Sequence, residues 1–163
     1  EVSNLDLIKT ALNQFSRVHL SLGACTEKEL DNVARLVKEL RPNDKDVTAM
    51  HCVSSYPCDA QHINLPRLDK ISEIFSNSLG LSDHSQSALI PALALAKGAT
   101  VIEKHFTTDR DLPGRDNKFA MLPKMFEEMV GHCEEAKQAT TDHGIGAQAS
   151  EHDTMTNYRG RWG

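Results

Sequence analysis

Two hydrophobic periodicities take turns along this chain, and their alternation constrains the fold more than any other feature. Apolar residues at helical spacing (Leu5, Ile8, Leu12, Phe15) come first, and Arg17 to Gly23 then reads as a short strand. Thr26, with Glu29 three residues on, predicts a capping box for a helix whose stripe is Leu30, Val33, Leu36, Val37 and Leu40. The Arg41-Pro42-Asn43-Asp44 turn leads into a second strand, Val47 to Ser54. Asn64 is expected to open a helix carrying Leu68, Ile71, Ile74 and Phe75. A third strand follows from Leu79 to Asp83, then a helix through Leu89, Leu93 and Leu95 that Gly98 stops. The fourth strand runs from Thr100 to His105, and Pro123 starts a last helix ending near Ala139. Four βα units in series predict a parallel sheet with covering helices.

Strand parity narrows this further, because successive side chains point to opposite faces. Val18, Leu20 and Leu22 share one face, with Arg17, His19 and Ser21 on the other. Val47, Ala49 and Val53 oppose Thr48, Cys52 and Ser54, while Val101, Glu103 and His105 share a side. A doubly wound sheet needs apolar groups on both faces. Here polar groups gather on one face toward the C-terminal strand ends, as in a barrel with a site at its mouth. The expected fold is therefore α/β: a parallel (β/α)4 half of a TIM-type (β/α)8 barrel over residues 1–139. Residues 140–163 read as a polar tail or linker. Such a half leaves two unpaired edges, Arg17–Gly23 and Thr100–His105, and inward-facing Met50, Cys52 and Val101 open to water. Two copies joined edge to edge, or one copy with a complementary half-barrel, would close eight strands into a filled barrel. A homodimer is the expected assembly.

Composition excludes several classes. The 163 residues carry a formal charge of −5 with no block of Lys and Arg, which argues against nucleic acid as a partner. No stretch approaches the roughly 18 apolar residues of a membrane span, and the N-terminal run has no leader pattern. Cys25, Cys52, Cys58 and Cys133 form no CxxC pair, so free thiols and a cytoplasmic location are expected.

Chemistry concentrates at two strand ends. Ser82-Asp83-His84 ends the third strand and Glu103-Lys104-His105 the fourth, so the two histidines would stand side by side at the mouth. Paired imidazoles suit Mn²⁺, Zn²⁺ or Fe²⁺. Either histidine alone reads better as a satisfied strand-end hydrogen bond; their pairing favours a metal, with Glu103 behind one and Asp83 beside the other. Glu103 is the candidate catalytic carboxylate. Cys52 lacks an adjacent base in the sequence and reads as a small buried hydrophobe. The Glu127, Glu128, Glu134 and Glu135 cluster reads as a solvated helix face, and His132, His143 and His152 as surface residues.

Four runs carry a resemblance: Met50-His51-Cys52-Val53-Ser54-Ser55-Tyr56-Pro57, Gly80-Leu81-Ser82-Asp83-His84-Ser85, Gly98 to Thr107, and Leu112-Pro113-Gly114-Arg115-Asp116. Their order and spacing resemble the C-terminal half of the barrel domain of the N-acetylneuraminate (sialic acid) synthase family. Ser150-Glu151-His152-Asp153 and Arg159-Gly160-Arg161 look like that family's post-barrel linker. The resemblance implies that His84 and His105 hold a divalent metal, Mn²⁺ or Mg²⁺, and that Ser82 contacts phosphoenolpyruvate. It places Ser54 and Tyr56 among the groups touching phosphoenolpyruvate and sugar, Asp116 on the amino sugar, and Ser21 at a strand end usually written Ser-Thr-Gly.

The implied reaction is a transferase-type condensation of phosphoenolpyruvate with an N-acyl hexosamine, N-acetylmannosamine or a relative, to a nonulosonic acid. Two departures stand out: Ser21-Leu22-Gly23 replaces Ser-Thr-Gly, and Ser16-Arg17 replaces an expected Lys-Pro. The family's first four βα units are not in these residues, so the chain is expected to be inactive alone. The alternative reading is a non-catalytic binding or assembly module derived from the same family.

Overall fold

A computed structural model describes residues 2–161; Glu1, and the Trp162-Gly163 end of the tail, lie outside the described residues. Helix α1 (Leu5–Gln14) begins where the Asn4 side chain accepts the Leu7 N–H at 3.0 Å, satisfying a donor the helix itself cannot. Strand β1 (Val18–Ser21) leads to α2 (Glu27–Leu40), where the Thr26/Glu29 capping box forms in both directions. After β2 (Val47–Cys52), helix α3 covers Arg67–Ile74. It starts three residues later than Asn64, because Asn64 is left-handed (φ 52°) and its carbonyl closes a turn onto the Arg67 N–H. Strand β3 (Ser78–Asp83), α4 (Ile90–Ala96) and β4 (Ala99–Lys104) follow, with Gly98 at φ 92° ending α4 in a conformation that suits glycine. Helix α5 runs from Pro123 to Ala139 and packs on α4, and there His132 is half-buried against the Ala88 carbonyl rather than on the surface.

The four strands pair in sequence order, all parallel. The outward face of β1 and β2 (Val18, Leu20, Leu22, Val47, Ala49) packs against Ile8, Leu12, Val33, Val37 and Ile71 of the helices. A second cluster joins Leu81 and Ala99 to Ile63, Leu68, Ile90 and Ala94. Together they anchor the sheet from behind; truncating one such leucine to alanine costs about 2–5 kcal/mol. The tail contains a short helix, α6 (His152–Asn157), but every described residue from 140 onward is exposed, so it adds nothing to the core.

The inward face differs from expectation. Met50 and Cys52 are only 1% and 3% exposed, although nothing from a second copy covers them. For Met50 the absence of a side chain at Gly80 explains this: a Cβ built on Gly80 would lie 2.2 Å from Met50 Sδ. Met50 thus fills the space over its neighbour. Val101, near the sheet edge, stays half-buried. Between β3 and β4 the register jumps from Leu79↔Ala99 to Gly80↔Val101, passing over Thr100. That irregularity sets Glu103 opposite Ser82 and Lys104 opposite Asp83.

Candidate functional site

The inward residues rise in layers toward the C-terminal ends of the strands. In the lower layer Cys52, Ser82 and Glu103 are ladder neighbours, and the Ser82 hydroxyl donates to Glu103 Oε1 at 2.7 Å. Glu103 is exposed, held by that bond at the rim of the sheet. Above it stand His84 and His105, with ring centroids 5.1 Å apart and nearly edge to face. Tyr56, from the loop after β2, lies 4.2 Å from the His84 ring and 6.0 Å from that of His105. Phe119 closes the far side, 5.2 Å from His105 and 5.7 Å from Tyr56.

These groups border two adjoining cavities. One, of about 410 Å³, is lined by Ser21, Ser54, Tyr56, Ser82, His84, Glu103 and His105, and by Cys52 and Gly23. All the candidate site residues except Asp116 therefore meet in one place. Gly23 is needed there, since a Cβ would come within 2.5 Å of Ser54 Oγ and 2.7 Å of Cys52 Sγ. The second cavity, of about 920 Å³, shares Tyr56 and His105 and adds Asp116, Phe119, Gln86, Arg115, Asn117 and Lys118. Asp116 reaches the first site through His105, with Oδ2 3.8 Å from His105 Nδ1. The loop carrying it is tied to β4 where the Met121 N–H donates to the His105 carbonyl at 2.9 Å.

His84 Nδ1 lies 3.2 Å from the Val53 carbonyl, which can only accept, so Nδ1 carries the proton and the Nε2 lone pair is left free. A backbone carbonyl anchoring the far nitrogen of an imidazole in this way is the usual outer support of a metal-ligating histidine. Among the described residues no group of three or more His, Cys, Asp or Glu gathers closely enough to hold an ion. The donor set is thus two imidazoles bordering one cavity. That fits a divalent cation whose remaining positions are filled by water or substrate oxygens.

Two expectations need correction. Asp83 does not stand beside His84: the pleat turns it to the opposite face, where it is buried and pairs with Lys104 at 2.7 Å. Cys52 does have an imidazole nearby: its sulfur lies 3.9 Å from His84 Nδ1, which faces it as a donor, and 3.7 Å from Ser54 Oγ. Burial pushes the Cys52 thiol up, but hydrogen bonds from His84, Ser21 and Ser54 and the His84 charge outweigh it and leave it below its ordinary value. Burial likewise pulls His84 down, and the Cys52, Val53 and Asp83 contributions reverse this to a net rise. Asn117, Lys118 and Phe119, on the same loop as Asp116, were not singled out from the sequence. The available signal was the Pro113-Gly114 turn followed by polar residues and one isolated aromatic.

A half-barrel of parallel βα units whose strand ends present two histidines, a serine–glutamate pair and an aromatic wall belongs to the TIM-barrel type of enzyme scaffold. The chain belongs to the NeuB family, whose model matches residues 1–144. It is 39% identical over 130 residues to the pseudaminic acid synthase of Helicobacter pylori, covering 80% of this chain and 38% of that protein. It is 33% identical over 148 residues to the N,N'-diacetyllegionaminic acid synthase of Legionella pneumophila, covering 90% of this chain and 41% of the relative. The crystal structure of N-acetylneuraminic acid (sialic acid) synthetase from Leptospira borgpetersenii, in complex with citrate, superposes with a TM-score of 0.83 at 31% identity. That match covers 95% of this chain and 53% of the solved one, so the chain spans about half or less of its relatives' length. No helix among the described residues is long and apolar enough to cross a membrane.

Proposed function

We propose that this chain carries the metal-binding and sugar-facing part of a nonulosonic acid synthase site, condensing phosphoenolpyruvate with an N-acyl hexosamine. The observation that carries the reading is the His84/His105 pair, one ring anchored by Val53, bordering the smaller cavity, with His105 and Tyr56 also lining the larger one. His84 and His105 would hold a divalent metal, Mn²⁺ or Mg²⁺, which when bound supplies a Lewis acid for the sugar carbonyl.

The chain's own residues do the rest. Ser82 and Ser54 offer hydroxyls to phosphoenolpyruvate. Glu103, paired with Ser82, is placed to handle a proton at the reacting carbons. Asp116, beside His105, accepts hydroxyls of the amino sugar from the larger cavity. Tyr56 stands between the two cavities, so both substrates would meet across its ring, the orientation a two-substrate condensation requires.

The names of the relatives favour a diacylated nonulosonic acid, pseudaminic or legionaminic, as the product. The reading includes a partner half-barrel, a second copy or a complementary one, along the unpaired edges of β1 and β4, and a cytoplasmic location for a chain with four free cysteines. Titration calorimetry with Mn²⁺ tests it. The chain should bind with modest affinity, and His84→Ala or His105→Ala should abolish binding while the far-UV circular dichroism stays unchanged. If both variants bind as tightly as the parent, the site assignment is wrong.

A further inference from the structure

Behind the histidine pair, on the other face of the sheet, lies a buried charge cluster that the proposed chemistry does not use. Asp83 and Lys104 are direct ladder partners, and their side chains are 0% and 3% exposed. Lys104 Nζ donates to Asp83 Oδ2 at 2.7 Å and also to the carbonyl and hydroxyl oxygens of Ser85. Asp83 in turn accepts the Ser85 backbone N–H at 2.8 Å and its hydroxyl at 3.0 Å. Every polar atom of this cluster that is buried is satisfied within it, and neither cavity of the site is lined by Asp83, Ser85 or Lys104.

The cluster holds the two residues that flank His84 in sequence, Asp83 and Ser85, together with Lys104, the residue preceding His105. We infer that Asp83 and Lys104 are positioning residues: their ion pair locks the ends of β3 and β4 together and thereby sets the spacing and orientation of His84 and His105. A buried ion pair adds little net stability over an apolar pair of the same size, because desolvation offsets the attraction. What it does contribute is geometry. Lys104 reaches the Asp83 carboxylate and both Ser85 oxygens at once, so hydrogen bonds tie down the residues on each side of His84. Removing a group hydrogen-bonded directly to a metal ligand typically costs about 10–100-fold in affinity, and this pair acts on the same ligands through the backbone that carries them.

The inference rests on the metal reading above only for its affinity arm, so two measurements on the full chain separate them. The variant Asp83→Asn/Lys104→Met removes both charges at once and leaves no unpaired ion. In the metal-free protein, imidazole ¹H–¹⁵N correlation spectra should show the His84 and His105 signals shifted and broadened. The exposed-pair control, Asp69→Asn/Lys97→Met, should leave them in place. Calorimetric Mn²⁺ binding to the buried-pair variant should weaken by about 10–100-fold. Unchanged imidazole signals in a folded buried-pair variant overturn the inference, as does an Mn²⁺ Kd within twofold of the parent. If the parent binds no Mn²⁺, the metal reading fails while the imidazole spectra still decide the positioning role. Should the double variant not fold, Ser85→Ala, which keeps the ion pair and removes only its bridging hydroxyl, should shift His84 in the same direction. No shift there counts against the inference.

Discussion

Gly80→Ala offers a sharp test of how the inward face is built. The added methyl would sit 2.2 Å from Met50 Sδ, 3.0 Å from Met50 Cε and 2.9 Å from the Val101 carbonyl. The thioether is flexible but buried, at 1% exposure, so it can move only by disturbing its packing, and the carbonyl belongs to the backbone of the neighbouring strand. Overpacking of a tight interior costs about 1–3 kcal/mol, and two simultaneous contacts below 3.0 Å, one of them to backbone, place this case near the upper end. For a chain of this size about 3 kcal/mol corresponds to a fall in Tm of roughly 6–12 °C. The assay is a double-mutant cycle by urea denaturation with Gly80→Ala, Met50→Ala and the pair. Met50→Ala alone leaves a cavity, and the pair should cost less than the two single changes together, with an interaction of about 0.5–3 kcal/mol. Strict additivity, or a Gly80→Ala protein as stable as the parent, would refute the packing argument.

Two further outcomes follow from local structure. Thr26→Ala removes the side chain that caps α2 and accepts the Glu29 N–H at 3.3 Å, so it should lower stability by about 1 kcal/mol, read as a shift in urea midpoint without change in m. His51 is fully buried; its Nε2 donates to the Ile63 carbonyl at 2.7 Å while Nδ1 has no partner. Burial, with Arg67 reinforcing it against the Ile63 carbonyl, holds this imidazole below its ordinary value. The unfolded chain therefore takes up the proton first, and the contribution of His51 is complete above about pH 6.5 and declines as pH falls. His51→Gln should flatten that part of the profile. The check is the parent-minus-variant difference in urea midpoint between about pH 7.5 and pH 5.5, and a difference independent of pH would refute the assignment.

Much of this architecture was legible because the chain writes its periodicities plainly. The capping box at Thr26 follows from the spacing of two side chains, and the stop at Gly98 and the start of α5 at Pro123 each follow from one residue's backbone preference. The gathering of seven site residues in one cavity followed from strand parity together with the family resemblance. Asn64 was misjudged because a polar residue before an apolar stripe signals a cap, and only the backbone reveals that its φ is positive. The shielding of Met50 was invisible for a different reason. It depends on which residue of β3 lies opposite, a matter of register that periodicity within one strand does not carry.

The most instructive error is Asp83. Read along the chain, Ser82-Asp83-His84 and Glu103-Lys104-His105 look like two triplets of chemical groups serving one site. The pleat divides each triplet: Ser82, His84, Glu103 and His105 turn inward, and Asp83 and Lys104 turn outward to each other. Had both charges faced the mouth, a lysine ammonium would stand among the histidines proposed to bind a cation, and repulsion would oppose that binding. Sending Lys104 through the sheet to Asp83 removes that conflict and converts the pair into a brace for the strand ends. The period of two thus does more than choose a face for apolar residues. Along two adjacent strands it assigns alternate polar residues to chemistry and to the framework that holds the chemistry in place.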